Sequence, residues 1–122
     1  MRYSEVFITI GAEPWQPVVN FYQQLFQLEP SPCVANRYAE FKIGALRLGI
    51  FKPSENHQAE FQGCSGSLSF CVEVENLEEA IAAVKQAKGT VAAEIVQASH
   101  GRECYAYDPA ENRLILHESP KP

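Results

Sequence analysis

The chain has 122 residues, a length that fits one compact domain and excludes two large ones. With 46% hydrophobic and 20% charged residues, its composition is that of a folded protein rather than a disordered one. The formal net charge is -5, from 10 basic and 15 acidic side chains, which argues against a nucleic-acid partner.

The sequence also argues against a membrane partner. No stretch approaches the roughly 18 apolar residues that span a bilayer, and the start lacks the apolar segment of a signal peptide. We therefore expect a cytoplasmic location. The four cysteines form no C-x-x-C pair, so we expect reduced, mostly structural thiols: Cys33, Cys64, Cys71 and Cys104.

The first half of the chain predicts one helix among strands. Residues 3–10 alternate an aliphatic face with a mixed face, which indicates a strand. Apolar residues then recur at helical spacing to about residue 27, and Gly44-Ala45 predicts a tight hairpin. The predicted order is β-α-β-β-β, with the later strands at 31–35, 38–43 and 46–51.

The second half repeats this order after a polar segment. Residues 53–66 are rich in Pro, Gly and Ser and predict a linker. The strand pattern restarts at 67–74, and a helix runs from Leu77 to Gly89. Three more strands are predicted at 90–96, 103–107 and 113–118. We predict one domain, 1–122, with modules at 1–52 and 67–122.

Three segments of this repeat carry a family resemblance. They are the opening strand Glu5 to Ile10, the helix end Phe21-Tyr22-Gln23-Gln24-Leu25-Phe26, and the closing segment from Asp108 to Ile115, which is similar to a D-P-x-G-N-x-I-E motif. In this order they resemble the vicinal oxygen chelate superfamily, which includes glyoxalases, bleomycin resistance proteins and extradiol dioxygenases. The resemblance implies an α+β fold of two βαβββ modules, whose curled mixed sheets form a half-open barrel around a cavity.

The resemblance predicts what each of the two faces of a strand contacts. Aliphatic stripes are expected to face the helices and the opposite stripes to line the cavity, although a solvated polar face is the alternative. We expect Glu5 as a candidate catalytic base with Arg47 as its partner. The expected ligand-binding residues are Phe7, Arg47, Phe51, Ser67, Ser69, Tyr105, Tyr107 and His117.

The family's enzymes hold a divalent metal, and four positions of this chain correspond to the ligands. These positions carry Glu5, Gly49, Ser67 and Ile115, and three of the four bind metals poorly. We therefore expect no metal site and no cofactor. The alternative is a shifted register that presents His117, with Glu5 and Glu103 or Cys71, as an altered ligand set.

Three functions remain open from the sequence. The first is a metal-free protein that binds a small organic molecule in its cavity. The second is a metal-dependent lyase, isomerase or dioxygenase, and the third is a non-catalytic interaction module. We also expect a homodimer, because Trp15, Phe51 and Phe61 are large apolar residues near segment ends. His57 and His100 lie in polar segments and are expected at the surface.

Overall fold

A computed structural model describes residues 1–62 and 66–121. The chain forms two compact units, Met1–Gln62 and Gly63–Pro122. Their boundary lies inside the predicted linker.

The first unit is a four-stranded mixed sheet with one α-helix. Its strand order is β1-β4-β3-β2, with β1 parallel to β4 and the other neighbours antiparallel. The elements are β1 (Ile8–Gly11), α1 (Trp15–Phe26), β2 (Cys33–Val34), β3 (Tyr38–Ile43) and β4 (Leu46–Phe51), followed by a 3-10 helix at Glu55–Phe61.

The core of this unit lies between α1 and one face of the sheet. Trp15 opens the helix, is 2% exposed, and donates from its ring Nε1 to the carbonyl of Ile50 at 2.9 Å. The helix residues with the deepest burial recur at helical spacing, so they meet the buried aliphatic face of the sheet. They are Val18, Val19, Phe21 and Tyr22, opposite Ala39, Phe41, Leu48 and Ile50.

The second unit repeats the same topology. Its strand order is β5-β8-β7-β6, with β5 parallel to β8. Its elements are β5 (Phe70–Glu73), α2 (Leu77–Gln86), β6 (Thr90–Ala98), β7 (Gly101–Tyr107) and β8 (Arg113–Glu118). Asn76 caps α2, because its side-chain oxygen accepts from the backbone N–H of Glu79 at 2.9 Å.

The turn between β7 and β8 is built around one buried carboxylate. Asp108 is 2% exposed and accepts from the backbone N–H groups of Ala110 and Asn112, at 2.8 and 3.0 Å. Its second oxygen accepts from the side-chain amide of Asn112 at 2.9 Å. The turn therefore fixes where β8 begins.

These elements confirm the predicted α+β class and the repeated β-α-β-β-β order. The predicted bounds of strands 38–43, 46–51 and 113–118 are those of β3, β4 and β8.

Two predicted strands begin too early. β1 begins at Ile8 rather than residue 3, because its parallel pairing with β4 starts at Leu48, and residues 1–7 are exposed. β5 likewise begins at Phe70 rather than Ser67. The apolar and polar residues of these flanking segments alternate as in a strand, but the segments are not paired in a sheet.

Two further predictions need correction. The predicted linker contains the 3-10 helix, which lacks the 3.6-residue periodicity used to predict helices. Among the cysteines, Cys104 is buried as expected, whereas Cys33 and Cys71 are exposed. Cys64 lies outside the described residues.

Across the described parts of the chain, the helices are too short or too polar to cross a membrane.

Candidate functional site

Arg47 is the centre of a charged cluster on the polar face of the first sheet. It lies on β4 and forms ion pairs with Glu5, before β1, and with Glu40, on β3. The distance from Arg47 Nε to Glu40 Oε2 is 2.9 Å. The guanidinium carbon lies 4.0 Å from the ring centroid of Phe7, which is a cation–π contact. The predicted Glu5–Arg47 pairing is thus confirmed.

Tyr38 and Glu40 complete this cluster, and the sequence analysis missed both. Tyr38 donates its hydroxyl to Glu40 Oε1 at 2.7 Å, and Glu40 is 5% exposed. The hydrogen bond from Tyr38, together with Arg47, lowers the pKa of Glu40, while burial and the contact with Glu40 raise the pKa of Tyr38. Period-two alternation along β3 was the available signal, since Tyr38 and Glu40 alternate with the apolar residues Ala39 and Phe41 of the opposite face.

Gly49 provides the space that the tyrosine fills. A Cβ atom at position 49 would lie 2.5 Å from the Tyr38 hydroxyl oxygen. Any side chain there would displace the Tyr38 ring. The hydroxyl therefore occupies the place above β4 where the family resemblance puts a metal ligand.

The charges of the cluster balance. The two carboxylates of Glu5 and Glu40 face the guanidinium of Arg47, and both raise its pKa. Lys42 lies opposite Arg47 on β3, adds a second positive charge, and lowers the pKa of Glu40. Two charges of each sign give no preference for a cationic over an anionic ligand at this face.

Phe51 lies at the end of β4 on the same face. Its ring meets that of Phe61, from the 3-10 helix, edge to face with centroids 5.0 Å apart. Phe61 is 41% exposed, so the pair presents an aromatic edge to solvent.

A groove of about 650 Å³ lies beside Tyr38 in this unit. Its lining includes two acidic and two basic side chains, and Lys52 approaches Glu13 to 3.7 Å. The charged lining residues are Glu13, Arg37, Lys52 and Glu55.

The second sheet also has a buried and a mixed face. Tyr105 and Tyr107 alternate with buried Cys104 and Ala106, and Tyr105 is 38% exposed. Tyr105 lies opposite Ile115, and Tyr107 opposite Arg113. Ser69 joins this face from before β5, accepting from Arg113 Nε at 2.7 Å.

His117 lies near the end of β8 within a chain of polar contacts. Its Nδ1 is 2.7 Å from Glu73 Oε1, and its Nε2 is 2.9 Å from Nδ1 of His100. The hydrogen bond with Glu73 raises the pKa of His117. The pKa of Glu73 is lowered, mainly by the hydrogen bond from Ser119 and then by the one from His117. His100 is exposed, as expected, but its contact with His117 was not foreseen.

Three site predictions change with these observations. Ser67 is exposed in the segment before β5 and is not on a strand face. Glu5 and Phe7 likewise precede β1, and contacts with Arg47 hold them. Trp15 is buried within its own unit, so it offers no surface for a dimer contact.

The residues present do not fit the divalent metal of the fold's enzymes. Gly49 and Ile115 offer no side-chain donor, Ser67 is a poor one, and Glu5 is paired with Arg47. Within residues 1–62 and 66–121, no group of three or more His, Cys, Asp or Glu side chains is arranged to hold a metal ion. Both ring nitrogens of His117 already face Glu73 and His100.

Solved structures share this fold at low sequence identity. A glyoxalase-related enzyme from Fulvimarina pelagi is 15% identical with a TM-score of 0.76, over 97% of this chain and 90% of that one. A fosfomycin resistance protein from Listeria monocytogenes is 16% identical with a TM-score of 0.75, over 98% and 96%. Lactoylglutathione lyase from Agrobacterium tumefaciens is 21% identical with a TM-score of 0.67, over 97% and 96%.

No protein family pattern matches the sequence, and no curated protein matches it significantly. The similarity is therefore one of architecture, at 15 to 21% identity in the three structures above. The glyoxalase-related neighbours and the repeated topology agree with the fold that the sequence resemblance implies. The chain therefore has the fold of the glyoxalase/bleomycin resistance proteins.

Proposed function

We propose that this protein binds a small organic molecule on the polar and aromatic faces of its sheets, without the divalent metal used by enzymes of this fold. One observation carries the proposal. The Tyr38 hydroxyl fills the space above Gly49, and Arg47 holds the carboxylate of Glu5. Two of the positions that would serve a metal therefore belong to a network of organic side chains.

The first face offers chemistry suited to an organic ligand. Phe7 is 38% exposed and supplies an aromatic surface, while Arg47 and Tyr38 supply polar groups beside it. On the second unit we propose contacts from Ser69, Tyr105, Tyr107 and His117. Aromatic surface with a few fixed polar groups is the usual lining of a small-molecule site.

The structural neighbours support the class of ligand. The names of two of them, lactoylglutathione lyase and a fosfomycin resistance protein, refer to small organic compounds. For this chain we propose the same general class, with an aromatic character because Phe7 presents a partly exposed ring beside Arg47.

A thermal-shift screen tests the binding proposal. A ligand that binds the native state raises Tm by mass action, so we expect hits among small aromatic compounds. Phe7→Ala should reduce the shift of each hit, because it removes the ring under Arg47. Val6→Ala is the matched control, since Val6 is the neighbouring residue and is 80% exposed. A screen without hits, or hits that Phe7→Ala leaves unchanged, would contradict the proposal.

Elemental analysis of the purified protein tests the metal part separately. We expect no stoichiometric zinc, nickel, manganese or iron, and no loss of ligand-induced shift after treatment with a chelator. A tightly held metal whose removal abolishes ligand binding would show that the chain is a metalloprotein instead.

A further inference from the structure

The groove beside Tyr38 is a second cavity of the first unit, apart from the charged cluster around Arg47. Its volume of about 650 Å³ is that of a small-molecule site. Two chain segments line it, the β2–β3 turn and the segment that follows β4. Neither Arg47 nor Phe7 lines this groove, and Tyr38 is the residue that it shares with the cluster. A ligand in the groove would therefore meet different side chains from those of the polar sheet face.

Two of the four charged side chains that line the groove pair with each other. Lys52 Nζ lies 3.7 Å from Glu13 Oε2. Within residues 1–62 and 66–121, the other two, Arg37 and Glu55, form no ion pair, either with each other or with another side chain. Both residues are exposed. The groove therefore presents one guanidinium and one carboxylate that are held apart and are open to a ligand.

The first sheet fixes the backbone of Arg37. Its N–H donates to the carbonyl of Val34 at 3.0 Å, and its carbonyl accepts from the N–H of Lys52 at 2.9 Å. The first bond closes the β2–β3 turn, and the second extends the β3–β4 pairing beyond Tyr38 and Phe51. Because the backbone is already ordered, a ligand that binds the guanidinium restricts the side chain alone, which limits the entropic cost of binding.

The 3-10 helix that carries Glu55 is held to the sheet by its last residue. No residue of this helix is buried. The ring of Phe61 nevertheless lies over Gly11 of β1, where a Cβ atom would come within 2.7 Å of the ring. Phe61 also meets Phe51 of β4 edge to face. These contacts tie the helix to two strands of the sheet, so Glu55 and Arg37 are carried by one packed unit.

We propose that this groove binds a zwitterion, with the ligand's carboxylate at Arg37 and its ammonium group at Glu55. A guanidinium binds a carboxylate through two parallel hydrogen bonds, and a carboxylate accepts from an ammonium group. Val34, which is 50% exposed, and Tyr38 line the same groove and offer apolar surface to the carbon atoms between the two charges. The ligand class is therefore a small aliphatic amino acid. This site does not rest on the binding function proposed above.

An NMR titration of the whole chain with glycine, β-alanine, γ-aminobutyrate and ε-aminocaproate tests the site. We expect saturable shifts of the backbone amides of residues 36–38 and 54–58. The probe that binds most tightly then measures the distance between the two charges. Its methyl ester lacks the carboxylate, and its N-acetyl derivative lacks the ammonium group. Each derivative should bind roughly five- to tenfold more weakly, as expected for the loss of one charged contact at an exposed site.

Two pairs of variants assign the charges. Arg37→Gln should remove the preference for the free acid over its methyl ester, and Glu55→Gln the preference for the free amine over its N-acetyl derivative. Arg2→Gln and Glu60→Gln are the matched controls, because both residues are exposed in the same unit and neither lines the groove. Absence of saturable shifts with all four probes, or equal binding of both derivatives, would overturn the proposal. The probes carry no aromatic ring, so this outcome is separate from that of the Phe7→Ala screen.

Discussion

The ring of Tyr38 fills the space above β4 that a side chain at position 49 would occupy. Because Gly49 leaves this space open, the Tyr38 hydroxyl can reach Glu40. With the hydroxyl in place, Glu40 is buried yet fully engaged, by Tyr38 on one oxygen and Arg47 on the other. A buried carboxylate without these partners would be costly. The cluster therefore depends on a residue that has no side chain.

Gly49→Ala is expected to destabilise the first unit. The added Cβ lies 2.5 Å from the Tyr38 oxygen, and overpacking of this kind costs about 1–3 kcal/mol. The cost should fall in a Tyr38→Ala background, as a double-mutant cycle by urea unfolding would measure. Gly44→Ala is the comparison, because its φ of 59° imposes a backbone cost with no atom nearby. An equal cost of Gly49→Ala in both backgrounds would show that Tyr38 does not fill that space.

The Glu73–His117 pair makes a stability prediction with a defined pH window. The raised pKa of His117 means that its contribution is present below its unfolded pKa and is lost as pH rises through the folded value. The lowered pKa of Glu73 means that its contribution is present above its unfolded pKa and is lost as pH falls. His117→Gln should therefore destabilise most between about pH 4.3 and 6.5, the two unfolded values. Urea unfolding across pH 4 to 9 measures this, and a pH-independent difference would refute it.

At the scale of elements, prediction succeeded where local chemistry marks an end of a strand. β3 and β4 are bounded by the Gly44-Ala45 hairpin, and β8 by the turn at Asp108. The start of β1 was wrong because a strand also needs a partner, and pairing with β4 begins at Leu48. Alternation alone carries no information about where a partner ends.

The candidate site was predictable to the same extent. Alternation placed Arg47 and His117 on the polar faces, and charge complementarity paired Arg47 with Glu5. The contacts of His100 with His117 and of Tyr38 with Glu40 depend on a turn conformation and on side-chain direction, which a single sequence does not specify.

Neighbouring residues of β8 offer a matched test of the two faces. Leu114 is fully buried on the aliphatic face, so Leu114→Ala should cost about 2–5 kcal/mol. Ile115 lies half-buried on the opposite face, and Ile115→Ala should cost clearly less. Urea unfolding measures both, and the reverse order would show that the faces are assigned the wrong way round.

At the scale of the molecule, the homodimer remains a prediction, and fewer residues now support it. Trp15 no longer supports it, but large apolar side chains remain exposed near the start of the chain. They include Met1, Tyr3, Val6 and Phe7, at 112, 75, 80 and 38% exposure. Light scattering at micromolar concentration should give twice the mass of one chain, and Tyr3→Ser should shift the equilibrium toward monomer. A single-chain mass would remove the dimer.

The parallel pairing within each unit bears on how the chain acquires its structure. In each unit the first strand pairs with the last, so Ile8 pairs with Leu48 and Phe70 with Leu114. A helix and a hairpin separate the two strands of each pair along the chain. Such distant pairings are slow to form, because loop closure precedes the gain from contact. Every strand pairing in the first unit nevertheless lies within residues 1–62. During synthesis, the first unit can therefore complete its sheet while the second is still in the ribosome.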